Sequence, residues 1–172
     1  MQQHVVALYL ALVQFCCAGA QRPAYTRPSV IPFCVVQSDG SPPLTELADA
    51  VEFWQRESGR PDLIVWEPPA GGRCSPIHVY YDLPFQASPE RVTLGIAHPA
   101  IFERVQYACT IQILPISNDS ALEQKVLRHE IGHCLGLLHE DSGLMHRFIN
   151  RATEHVTPRQ KRFLKNLRAA HN

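Results

Sequence analysis

The run His129-Glu130-Ile131-Gly132-His133-Cys134-Leu135-Gly136-Leu137-Leu138-His139 restricts this chain's fold more than any other segment. Two histidines four residues apart stand one helical turn above each other, so their imidazoles converge on one ion only if the segment is an α-helix. Glu130, beside the first histidine, is placed to meet a water on that ion without being a ligand itself. Gly136 lets the chain leave the helix through a backbone conformation open to glycine and carry His139 back toward the first two histidines. Three neutral nitrogens and an open fourth position are what a catalytic zinc site needs.

The surrounding sequence fits a helix. Ser117-Asn118-Asp119-Ser120 offers several capping side chains, with Glu123 three residues after Ser120, and the pattern predicts a helix from Ala121 to about Leu137. At about 100° per residue, Leu127, Ile131, Cys134 and Leu138 share one side, while His129, His133 and Gly136 fall nearly opposite. One face is core and the other is a site.

The full run, followed by a methionine at Met145 in Ser142-Gly143-Leu144-Met145, resembles the signature of the metzincin zinc endopeptidases. Within that family the chain is most similar to the matrixins: Ala50 to Arg56 looks like their first helix, Leu94 to His98 like their edge strand, and Val156 to Leu167 like their final helix. The resemblance implies a small α/β (α+β) domain with a twisted mixed sheet, a backing helix, the zinc helix below the sheet and a short C-terminal helical subdomain after Gly136. It also implies one catalytic zinc on His129, His133 and His139, with Met145 as a hydrophobic floor beneath the ligands. Glu130 would take a proton from the zinc-activated water as general base and pass it to the leaving amine. An extended protein or peptide substrate would pair with the edge strand near Thr93 to Ala97. The function expected is thus a zinc metalloendopeptidase. The alternatives are a catalytically inactive zinc-binding module of the same fold and a purely structural, disulfide-stabilised domain. Arg73-Cys74-Ser75-Pro76 shares only its Arg-Cys pair with the matrixin cysteine switch, so latency through Cys74 is not expected.

Other histidines lack the spacing of ligands. His78, His98, His146 and His155 read as exposed or hydrogen-bonded residues of strands and loops, with His98 the first suspect for contact with a substrate or a second metal. Asp141 reads as a turn residue rather than a support for a ligand histidine.

Compartment follows from the N-terminus and the cysteines. An apolar run from Val5 to Phe15, bounded by Ala18, Gly19 and Ala20, looks like a secretory signal peptide, and it is well short of the roughly 20 residues that cross a bilayer as a helix. Residues 1–20 are therefore expected to be a signal peptide and residues 21–172 a single catalytic domain, secreted or periplasmic, with no membrane anchor and monomeric. Cys16 and Cys17 would leave with the leader; Cys34, Cys74, Cys109 and Cys134 would stay as an even set suited to disulfides. Four cysteines allow three pairings, and sequence alone does not choose among them. We lean to Cys109 with Cys134 and Cys34 with Cys74, the alternative being buried free thiols.

Composition narrows the rest. The chain has 172 residues, and 16 basic against 16 acidic side chains exclude polyanion binding by bulk charge, so no nucleic-acid partner is expected. Leu44, Leu47, Ala48, Val51 and Trp54 mark a helix over Thr45 to Arg56, ended by Gly59-Arg60-Pro61. Short strands are expected at Val30 to Gln37, Leu63 to Trp66, Ile77 to Tyr81 and Val92 to Ala97, and a longer one at Gln106 to Leu114 with Tyr107, Cys109, Ile111 and Ile113 on one face. A last helix should start with Thr157 as cap and Pro158 at its first position, burying Phe163, Leu164 and Leu167.

Overall fold

A computed structural model describes residues 14–16, 32–36, 39–66, 73–85, 87–88, 91–102, 105–116 and 119–167. The expected leader lies outside the described residues except for 14–16, which form strand β1 (Gln14–Cys16). Strands β2 (Phe33–Val36), β3 (Ile64–Trp66), β4 (Ser75–Tyr80), β7 (Gly95–Phe102) and β8 (Val105–Ile113) build a five-stranded mixed sheet in the order β3-β2-β4-β8-β7. The first four run parallel and β7 is antiparallel to β8, so β7 forms one edge. A small second sheet joins β1 to β6 (Arg91–Thr93), and β6 to β5 (Ala87–Ser88). The single strand expected at Val92 to Ala97 is thus two, parted at Leu94, and the second of them runs on to Phe102.

The alternation that defines these strands also places them. In β4, Ser75, Ile77 and Val79 are buried while the residues between them are partly exposed. Cys109, Ile111 and Ile113 of β8 are fully buried. Tyr107, expected on that same face, is 58% exposed where the register with β7 shifts between Ala100 and Ile101. A bulge of this kind breaks the period-two alternation.

Helix α1 (Leu44–Ser58) crosses from β2 to β3 and buries Leu47, Ala50, Val51, Phe53 and Trp54. Leu44, at its first turn, is exposed. Gly59 ends the helix in the left-handed conformation, its amide bonded to the carbonyls of Arg56 and Gln55. Trp54 ties this helix to the next by donating its indole N–H to the Arg128 carbonyl at 3.0 Å. That next helix, α2 (Ser120–Cys134), is capped by Asp119, whose carboxylate accepts from the Leu122 amide at 2.9 Å. Glu123 does not close a capping box. Its carboxylate accepts from the Ile116 amide and pairs with the Tyr81 hydroxyl, which also donates to Glu46 at 2.7 Å.

Two disulfides stitch the layers: Cys34 in β2 to Cys74 just before β4, and Cys109 in β8 to Cys134 at the end of α2. Gln106 reinforces the second by donating to the Cys134 carbonyl at 2.7 Å. Helix α3 (Pro158–Asn166) opens as expected on Thr157, in a reciprocal capping box with Gln160 and with proline in the first turn. It buries Leu164 and Gln160, while Phe163 is only partly buried. The molecule is a mixed α/β domain with a short helical C-terminal part.

Candidate metal centre

Helix α2 stops at Cys134, three residues before the periodicity predicts. The cause is Gly136, whose φ of +88° lies in the left-handed region. Its amide bonds to the His133 carbonyl and the Leu137 amide to the Gly132 carbonyl, both at 2.9 Å, so the last turn is closed by a reversal of the chain. Leu138 consequently leaves the apolar stripe on which a longer helix would have placed it and is 43% exposed. The same reversal brings His139 back over the helix.

The Nε2 atoms of His129, His133 and His139 then face one another at 3.1, 3.2 and 3.3 Å. Nitrogens bound at about 2.05 Å to one tetrahedral ion are separated by roughly 3.3 Å, so this spacing is that of a ligand set. The tautomers agree. His129 Nδ1 lies 2.8 Å from the Leu144 carbonyl, and His133 Nδ1 lies 2.8 Å from the Leu137 carbonyl. A carbonyl only accepts, so both Nδ1 atoms carry protons and leave their Nε2 lone pairs pointing inward. Burial lowers all three imidazoles from the usual histidine range: His129 well below it, and His133 and His139 to about 4. For His129 and His139 the neighbouring imidazoles add to the effect, and for His139 so does the charge of Arg147. The set is therefore neutral at neutral pH, as metal ligation requires. Among the described residues this is the one group of His, Cys, Asp or Glu side chains arranged to hold an ion.

Met145 is fully buried and packs against helix α2 at Gly132. A Cβ at position 132 would lie 2.5 Å from the Met145 sulfur and 2.9 Å from Trp54 Cζ2, so Gly132 is the gap through which the methionine and the tryptophan reach the helix. Glu130, 1% exposed, is covered from the sheet side. A Cβ at position 95 would lie 2.8 Å from both Glu130 Cγ and Glu130 Oε1, so the edge strand β7 presses its backbone onto this carboxylate at Gly95. Neither Gly95 nor Gly132 stands out by motif spacing. The available signal was an isolated glycine inside a strand or helix pattern, which marks a close approach.

The remaining candidates stay apart from this group. His98 is exposed on β7, in register with Thr110 of β8. His78 stacks on Tyr80, and His155 bonds to Thr153. His146 accepts from the Phe148 amide through Nδ1 at 3.0 Å, yet it lies near enough for its charge to bear on His129 and His139. Asp141 is exposed in a bend after Glu140.

No family model and no curated protein matches the sequence. Among solved structures, metalloproteinase-II from Bacteroides fragilis superimposes with a TM-score of 0.51 at 12% identity, covering 88% of this chain and 56% of that one. The fold is similar to that of this metalloproteinase. This chain spans little more than half the length of that neighbour, and at such low identity the likeness carries the architecture alone.

Proposed function

We propose that this protein is a secreted or periplasmic zinc endopeptidase whose single catalytic domain hydrolyses extended peptides. The observation that carries the proposal is the convergence of three neutral imidazoles, two with Nδ1 anchored to backbone carbonyls, directly beside a buried glutamate under a sheet edge. His129, His133 and His139 would hold the zinc, with Met145 as the floor. When bound there, zinc supplies Lewis acidity that lowers the pKa of a water and polarises a carbonyl. The donor set favours it, since three imidazoles with a fourth position left over suit catalytic zinc better than a closed structural site.

The chain's own residues supply the rest. A peptide paired along β7 would run past Gly95, where the Glu130 carboxylate lies against the strand. Glu130 takes a proton from the attacking water at its carboxylate oxygen and delivers it to the leaving amine nitrogen. Two disulfides suit an oxidising compartment, and among the described residues no helix is long and apolar enough to cross a membrane.

The test is metal content of the purified chain together with cleavage of a quenched peptide library before and after chelation. One zinc per chain with chelator-sensitive cleavage supports the proposal; zinc without cleavage would move the assignment to a binding module. Replacing Glu130 with Gln should leave the zinc in place and lower turnover by about 10²- to 10⁴-fold, whereas His133→Ala should lose both metal and activity. Full turnover in the Glu130→Gln variant would remove the general-base role.

A further inference from the structure

The third imidazole rides on a segment that reaches across to the last helix. Next to His139, the Glu140 amide bonds to the Met145 carbonyl at 3.0 Å. The Glu140 carboxylate accepts from the Thr157 hydroxyl at 2.8 Å. Thr157 is buried and caps α3, where the same oxygen accepts from the Gln160 amide at 3.2 Å. Its one hydroxyl hydrogen is therefore committed to Glu140 while a lone pair serves the helix. Arg159 approaches the same carboxylate at 3.8 Å, but its side chain is largely exposed and adds little.

The residues around Thr157 meet the methionine turn as closely. A Cβ at position 143 would lie 2.8 Å from Thr157 Cγ2 and 3.0 Å from the His155 carbonyl oxygen, so the turn before Met145 rests on residues 155–157. The Leu144 amide bonds to the His155 carbonyl at 2.8 Å, and the Leu144 carbonyl lies 2.8 Å from His129 Nδ1. One short strut thus stands behind two of the three imidazoles, behind His129 through Leu144 and behind His139 through Glu140. The strut is tied in turn to the helix that carries His129 and His133. Arg128 pairs with Glu154 at 2.8 Å, and the Lys125 ammonium donates to the Ala152 carbonyl at 3.4 Å.

Resting on the zinc part of the reading above, we infer that Thr157 is a positioning residue for the metal centre, acting through Glu140 to hold His139 in place. His139 lies beyond the end of α2 and past the reversal at Gly136, so no helix of its own fixes it. Capping alone does not explain the choice of side chain. An aspartate would cap α3 as well, yet its carboxylate has no proton to give Glu140 and would repel it. Groups that orient a ligand without touching the ion typically tune metal affinity about 10- to 100-fold.

The experiment measures zinc affinity of the full chain at neutral pH by competition with a chromophoric chelator, and the urea midpoint of the same proteins freed of metal. Thr157→Val keeps the shape and the methyl but loses the hydroxyl, and it should bind zinc about 10- to 100-fold more weakly. Thr157→Ser restores the hydroxyl and should recover most of that loss. Glu140→Ala, at a half-buried position that leaves the core closed, should cost about as much as Thr157→Val. The double variant should be no worse than either single change, because each breaks the same bond. A cap that only stabilises the fold behaves differently: Thr157→Val would lower the urea midpoint and leave the zinc affinity of the folded chain where it was. That result, a serine variant no tighter than the valine one, or losses that add in the double variant would overturn this inference alone. A wild-type chain that binds no zinc would remove the zinc reading and the inference with it.

Discussion

Side chains at the centre of the site depend on residues that have none. Gly132 lies inside the histidine motif, and its missing Cβ is the space occupied by the Met145 sulfur and the Trp54 ring. Gly132→Ala should gain roughly 1 kcal/mol in helix propensity but force two large, fully buried side chains to move, a cost of about 1–3 kcal/mol or more when neither has room to yield. Trp54 is held by its bond to the Arg128 carbonyl and Met145 by the turn that carries Leu144, so the clash should win. The expected outcome is a lower urea midpoint with an unchanged slope, and weaker zinc retention because the Leu144 carbonyl that orients His129 sits on the displaced turn. A midpoint equal to or above wild type would show that the floor can relax. The contrast in legibility is physical. His129, His133 and His139 declare themselves through their spacing, since ligand chemistry restricts which residue types serve. Gly95 and Gly132 do not, because what each requires is the proximity of elements 35 or 13 residues away in the chain.

At the scale of elements, the periodic stretches were readable and their ends were less so. The run from Leu44 to Ser58 matches its apolar stripe, and the Thr157 cap with Pro158 marks the start of the last helix in the sequence itself. Helix α2 ends before its apolar pattern does: the pattern continues through Leu138 although the backbone has already turned at Gly136. Here a conformational requirement at one residue outweighs the hydrophobic period on either side. The Cys109–Cys134 bridge pins that helix end to β8 across a separation of 25 residues. Loop-closure entropy for such a span is worth about 3 to 4 kcal/mol, so a Cys109→Ala/Cys134→Ala double variant should unfold at a clearly lower urea concentration. Its loss should be felt at the metal as well, because Cys134 adjoins His133. A double variant with wild-type stability and zinc affinity would mean that Gln106, which bonds the Cys134 carbonyl, suffices to hold the helix end. Thr157→Ala should cost about 1 kcal/mol through loss of the cap, and somewhat more because the same hydroxyl bonds Glu140.

For the whole molecule, the buried imidazoles couple the site to global stability through pH. In the unfolded chain each histidine titrates near 6.5, whereas burial holds His133 and His139 down to about 4 and His129 well below its usual range. Between pH 6.5 and about 4 the unfolded chain takes up protons that the folded, metal-free chain refuses, so stability is fully present above pH 6.5 and is lost as the pH falls. Each such group contributes a slope of up to about 1.4 kcal/mol per pH unit in that window. Glu46 acts in the opposite sense. Burial raises its carboxyl above the ordinary 4.5, so the folded chain binds that proton first and gains stability as the pH falls toward that value. Three imidazoles against one carboxyl leave a net loss on acidification. On the zinc reading proposed above, zinc bound to the neutral imidazoles would stabilise the same state by mass action, until protons compete for the nitrogens. Chelated protein should therefore show a urea midpoint that falls steadily from pH 7 to 4.5. Zinc-loaded protein should start higher and converge on the chelated curve only in acid. Replacing His133 with Gln should flatten the metal-free slope by one group while abolishing the zinc-dependent increment. A metal-free stability that stays level from pH 7 to 4.5 would mean that the imidazoles accept protons inside the fold, and the neutral ligand set argued from their burial would not stand.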